Sequence, residues 1–216
     1  MNTDDLIERL ATDLSPAPRR AFERRLTIGL PIGMLASVLI VWLGYGLRAD
    51  FPAVIGTPML WVKFAWPAVV AWIAWRLIER LATPGRSLGR LQLALWAPAA
   101  AMSALAAAAW FGAQPTERVE LLMGSTWSAW IMCIASIVLS ALPILAAGRW
   151  ALARAAPTDL PRTGAAAGLL AGALGTMVYA LHCPELDAPF LLVWNGLGMV
   201  LAAALGAVLA PRLMRW

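Results

Sequence analysis

Long apolar runs alternate along this chain with short stretches in which the charged residues are bunched. A hydrocarbon layer of about 30 Å needs about 20 uncharged residues in helical form to cross it. Runs of that kind fall at approximately 26–47, 59–78, 91–112, 121–147, 164–182 and 188–210. They predict an all-α polytopic bundle of six transmembrane helices, with both termini on the same side of the bilayer. Pro31, Pro67, Pro98 and Pro143 each sit inside a run and predict kinks in four of the six.

The first 25 residues follow a different pattern. Thr3 is a suitable N-cap for a helix opening with Asp4 and Asp5. Leu6, Ile7, Leu10 and Leu14 then fall on one face, and Asp5, Glu8, Arg9, Thr12 and Asp13 on the other. The pattern predicts an amphipathic helix of about three turns, closed by Ser15-Pro16-Ala17-Pro18. Isolated helices shorter than about 12–15 residues are marginal in water, so this one needs a partner surface. Its acidic polar face argues against docking on a membrane, where interfacial helices carry Lys and Arg. The chain thus divides into a soluble segment, 1–25, and a membrane domain, 26–216.

Composition agrees with the pattern: 61% of the residues are hydrophobic, 13% are charged, and the mean hydropathy is +0.73. The net charge of +5 would suggest nucleic acid binding in a soluble protein. Here the arginines lie at the ends of apolar runs, where they set topology and meet anionic headgroups. With six spans, Lys and Arg accumulate in the N-terminal tail, the second and fourth loops and the C-terminus, leaving only Arg48, Lys63 and Arg118 for the opposite face. The positive-inside rule then predicts cytoplasmic termini, with the bilayer itself as a partner and no direct contact with nucleic acid.

Ionisable groups at membrane depth are costly and mark transport routes. The chain has one inside a run, Lys63, and its position about one turn from the run's end predicts a side chain that reaches up to water. Spans five and six carry small residues at four-residue intervals, Gly164, Gly168 and Gly172 in one, Gly198, Ala202 and Gly206 in the other, predicting close helix packing.

Reactive chemistry is confined to a few positions. The stretch Tyr179-Ala180-Leu181-His182-Cys183-Pro184-Glu185 holds the single histidine and one of two cysteines; the other is Cys133. Cys, His and carboxylate side chains are ligands for zinc-like ions and targets for oxidants. His182 and Glu185 are therefore accessory candidates beside the thiols, and a Cys133, Cys183 and His182 set is a candidate for transient heavy-metal binding, with no resident cofactor expected. A fourth span beginning near 121 places Cys133 about 18 Å inward, whereas Cys183 lies at the outer end of the fifth. That mismatch disfavours a disulfide, and it shrinks if the fourth helix begins nearer Ser125-Thr126-Trp127 or the fifth ends below the surface. No nucleophile with a base in reach is evident, and no enzymatic activity is expected.

The opening Met-Asn-Thr-Asp-Asp-Leu-Ile-Glu-Arg-Leu-Ala-Thr-Asp-Leu, the six runs, Cys133, the His182-Cys183-Pro184-Glu185 stretch, Ala188-Pro189-Phe190 and Trp194 together resemble the NrsF family of bacterial inner-membrane anti-sigma factors over essentially the whole chain. The resemblance implies that the N-terminal segment holds an extracytoplasmic-function sigma factor at the membrane. It also implies that Cys133 and Cys183 are the pair associated with responses to oxidants and heavy metals, so that modifying them releases the partner. Docking would then use Leu6, Ile7, Leu10 and Leu14 on an apolar groove, with Asp4, Asp5, Glu8 and Asp13 opposing a basic surface. The competing readings are a membrane thiol-disulfide oxidoreductase and a small metal transporter.

Overall fold

A computed structural model describes Thr3, Asp5 and residues 21–83, 88–153, 155 and 157–213. The described residues form helices, turns and bends with no strand. Of the N-terminal sigma-binding residues expected from the sequence, Asp5 is helical and exposed; Asp4, Leu6, Ile7, Glu8, Leu10, Asp13 and Leu14 lie outside the described residues.

Helix α1 spans Ala21–Tyr45. A short helix α2, Phe51–Val54, follows, then α3, Pro58–Leu81. The next helix, α4, runs Gly89–Gly112 and opens as a 3-10 segment, Gly89–Leu95. Pro98 closely follows that segment; a proline has no N–H to give to the preceding turn, and regular α geometry is established only from Trp96 onward. The short α5, Arg118–Met123, precedes α6, Ala129–Leu152. Helix α7 is Leu160–Tyr179, opened by Asp159, whose side chain accepts the Arg162 N–H at 3.0 Å. Finally α8, Ala188–Leu213, contains a π-helical turn at Leu191–Asn195.

Five of these helices, α1 (from Phe22), α3, α4, α6 and α8, are long and apolar enough to cross a membrane. Helix α7 has the 20 residues required but is rich in Gly and Ala, which carry less hydropathy than Leu or Val. It is also the helix most enclosed by the others, packing on α8, α3, α6 and α1. Thirteen of its residues are buried. The small residues read from the sequence mediate that packing: a Cβ on Gly168 would collide with the Ala202 carbonyl and lie 2.8 Å from Ala203 Cα, and one on Gly164 would strike the Gly206 backbone.

Two expectations change. The fourth long helix begins at Ala129, not 121; residues before it form α5 and a turn at Gly124, whose φ of +85° suits glycine. A Cβ there would also meet Phe190 at 2.8 Å and the Glu185 carboxyl carbon at 3.0 Å. Second, Lys63 does not reach water. It is 1% exposed, among the largest fully buried side chains. The reason is that partners for its ammonium lie inside the bundle rather than at its surface.

Buried residues form two apolar cores. The larger is built from α1, α3, α6, α7 and α8, including Leu26, Leu30, Leu77, Ile144 and Ala171. The second contains Met102, Ala106, Ile137, Tyr179, Phe190 and Leu191, and it holds both cysteines.

Candidate functional site

Three connections, α1–α2, α5–α6 and α7–α8, meet at one end of the bundle around residues 181–185. Helix α7 ends at Tyr179, and the next residues turn: the N–H groups of His182 and Cys183 both donate to Tyr179 O, at 2.9 and 3.0 Å. Pro184 then blocks helical continuation. This turn, with the late start of α6, brings Cys183 to the level of Cys133. Both are free thiols, 3% and 0% exposed, and belong to the same buried cluster. The depth mismatch that argued against a pairing is removed in both of the ways the sequence left open.

The thiols are held by polar groups that would be orphaned elsewhere. Cys133 Sγ donates to Asn195 Oδ1 at 2.9 Å. Asn195 is 2% exposed and sits in the π turn of α8; π turns locally break the regular helix ladder and often accompany functional sites. Lys63, from α3, donates through Nζ to Cys183 O and to Glu185 O, both at 2.7 Å. An unpaired buried ammonium costs several kcal/mol; two charge-assisted bonds offset much of this. The Glu185 carboxylate in turn accepts from the backbone N–H of Ser125 at 2.8 Å and from its hydroxyl.

Arg48 completes the enclosure. Its backbone N–H donates to Leu181 O at 3.0 Å. Its guanidinium donates to Cys183 O at 3.3 Å and Pro184 O at 3.4 Å, and forms a bidentate pair with Asp50 at 2.8 and 2.7 Å. The hydrogen bond from Arg48 holds the Asp50 carboxyl below its ordinary range. Burial, with the Glu185 and Glu120 charges, pushes Asp187 up. His182 faces α1: Nδ1 lies 3.1 Å from Gly46 O, and the ring packs 5.2 Å from Tyr45 and 5.8 Å from Tyr179. Trp194 Nε1 donates to Leu122 O at 2.6 Å and stacks at 5.1 Å on Trp130.

The structure therefore brings together Cys133, Cys183 and the backbone of Glu185, while the side chains of Glu185 and His182 bond elsewhere. Among the described residues no group of three His, Cys, Asp or Glu side chains is placed to hold a metal ion. Sequence reasoning missed Asn195, Arg48 and Ser125 and assigned Lys63 to water. A signal existed for Asn195, since an amide in an otherwise apolar run must find a partner in the bundle.

The described residues thus form a helical bundle in which five helices are long and apolar enough to cross a membrane, with a buried dithiol beneath a clamped turn. Residues 10–216 match the NrsF family, described as "Negative regulator of sigma F". The chain is 35% identical over 216 residues to a probable anti-sigma-F factor NrsF of Azospira oryzae, covering 100% of both chains. It is 34% identical over 220 residues to the anti-sigma-F factor NrsF of Caulobacter vibrioides, again across 100% of both. The chain belongs to the NrsF family. No solved structure matches it.

Proposed function

We propose that this protein is a membrane-bound anti-sigma factor that retains an extracytoplasmic-function sigma factor through residues 1–25 and releases it when Cys133 and Cys183 are modified by oxidant or heavy metal. The observation that carries the reading is full-length likeness to two relatives named as anti-sigma-F factors. In this reading Asp4, Asp5, Leu6, Ile7, Leu10 and Leu14 bind the sigma factor. The chain has six spans, α7 included, in a bacterial inner membrane, with cytoplasmic termini and the thiol end facing out.

Two structural features support the sensory half. The thiols are neighbours, which suits a single oxidation to a disulfide. They are also enclosed, so reaction requires the turn at 181–185 to open or shift, linking chemistry to conformation. A regulator of this kind needs no turnover, and one cysteine on each of two elements suits single-event sensing better than cycling of electrons.

Capture is tested by purifying the full chain from membranes with its bound sigma factor. Replacing Leu6 and Leu10 by Asp abolishes co-purification while leaving the protein in the membrane; retained capture would remove residues 1–25 from the role. For sensing, a Cys183→Ser variant retains its partner under cadmium or an oxidant that releases the wild-type partner. Normal release by that variant would exclude the thiol. Multiple turnovers with a dithiol substrate and a quinone would favour an oxidoreductase instead, and metal flux in liposomes would favour a transporter.

A further inference from the structure

The thiol pair lies near the Tyr45 end of α1, away from Ala21 where the helix begins, and Arg48 ties the site to that end. Arg48 is 7% exposed and follows α1 by three residues. It bonds three backbone carbonyls of the cysteine turn: Leu181 O through its own N–H, Cys183 O through Nη1 and Pro184 O through Nη2. Asp50 orients the guanidinium from the solvent side. Lys63 fixes the same Cys183 carbonyl to α3, so that carbonyl is shared between α1's extension and a different helix.

We propose that Arg48 is the positioning residue that couples the thiol pair to α1, and through α1 to the N-terminal segment. The coupling rests on the sensory reading above. When the thiols react with a two-electron oxidant such as a diazene, the two S–H bonds are replaced by one S–S bond, and two protons and two electrons pass to the diazene, giving the hydrazine. Cys133 then no longer donates to Asn195, and the Cys183 backbone is drawn toward α6. Its carbonyl cannot satisfy Lys63 and Arg48 as before. The Arg48 contacts carry the shift into the Tyr45 end of α1. A continuous helix of 25 residues, about 38 Å long at 1.5 Å per residue, moves as a unit. Its packing on α6, where Ser37 Oγ donates to Ser140 O at 2.6 Å, gives it a surface to move against.

The test uses the full chain in membrane vesicles with sigma factor bound, treated with diamide. Thiol consumption is read by maleimide-polymer gel shift, and release by pelleting the vesicles. Allosteric couplings typically amount to about 5–150-fold, so Arg48→Gln should consume both thiols and bind sigma factor normally at rest, yet release it at least about fivefold less than wild type. Arg48→Lys, which keeps a cationic donor, should recover part of the release. Release from Arg48→Gln at the wild-type level overturns the coupling and leaves the sensory reading standing. Oxidised wild-type protein that keeps its partner overturns both. Should Arg48→Gln fail to accumulate, Asp50→Ala decides: it removes both acceptors that orient the guanidinium and leaves residues 181–185 unchanged. Reduced release then supports the role, and unchanged release overturns it.

Discussion

At the scale of single residues the site is governed by buried acceptors served by very few donors. Lys63 supplies one donor to each of two backbone carbonyls in a turn that Pro184 keeps from becoming helix. Lys63→Met relieves the cost of a buried charge but orphans the Glu185 carbonyl, a loss worth about 1–3 kcal/mol, and leaves the Cys183 carbonyl to the longer bond from Arg48 alone. We expect net destabilisation, read as a lower unfolding midpoint in a mixed-micelle titration followed by tryptophan fluorescence. At Cys133 the contrast is between variants. Cys133→Ser keeps a donor for Asn195 Oδ1 and should unfold close to wild type, whereas Cys133→Ala leaves that oxygen buried without its partner and should lose about 1–3 kcal/mol in the same titration. Equal midpoints for the two variants would mean the bond to Asn195 contributes nothing. The cysteines themselves were legible in the sequence because so little else in the chain is reactive. Lys63 was not, because linear position gives depth but not which way a long side chain turns; water and a pair of buried carbonyls are both within its reach.

Among elements, the tightest contact is between α7 and α8, and its cause was visible as small residues every four positions. What the sequence concealed was the start of α6. Residues 121–128 carry no charge and so extend the uncharged run, but Gly124 at φ +85° and the packing of Phe190 and Glu185 against it end α5 and redirect the chain. That tertiary contact moves Cys133 toward the end of the bundle and makes the dithiol possible. The α7–α8 contact can be tested by adding one carbon. Gly168→Ala drives a Cβ into the Ala202 carbonyl and must separate the helices, at a cost of about 1–3 kcal/mol or more. Gly44→Ala in α1, where a Cβ meets nothing within 4 Å, should be neutral or stabilising by up to about 1 kcal/mol. If both variants shift the unfolding midpoint equally, close approach of α7 and α8 is not what the glycines provide.

For the whole molecule, the deciding quantity is the number of crossings. Five helices have the length and hydropathy to span, and an odd number would place the termini on opposite sides. Helix α7 is the disputed crossing, and its weak hydropathy follows from its place in the bundle. A helix surrounded by α8, α3, α6 and α1 meets little lipid, so Gly and Ala can replace the larger side chains a lipid-facing helix needs. Its 20 residues still measure about 30 Å at 1.5 Å per residue, the thickness of the hydrocarbon layer. The distribution of arginine agrees, since counting α7 as a span places Arg212 on the face that Arg24, Arg25, Arg149 and Arg162 already share. Fusions of a periplasm-dependent phosphatase should therefore be inactive after Leu213 and active after Gln114, in the α4–α5 connection, while a protease added outside sealed spheroplasts leaves residues 1–20 intact. Activity after Leu213 would give five crossings and put α7 on one side of the bilayer. Loss of the N-terminal segment to the external protease would be more damaging, because a sigma factor could then never meet it, and the regulatory role would fail with its geometry.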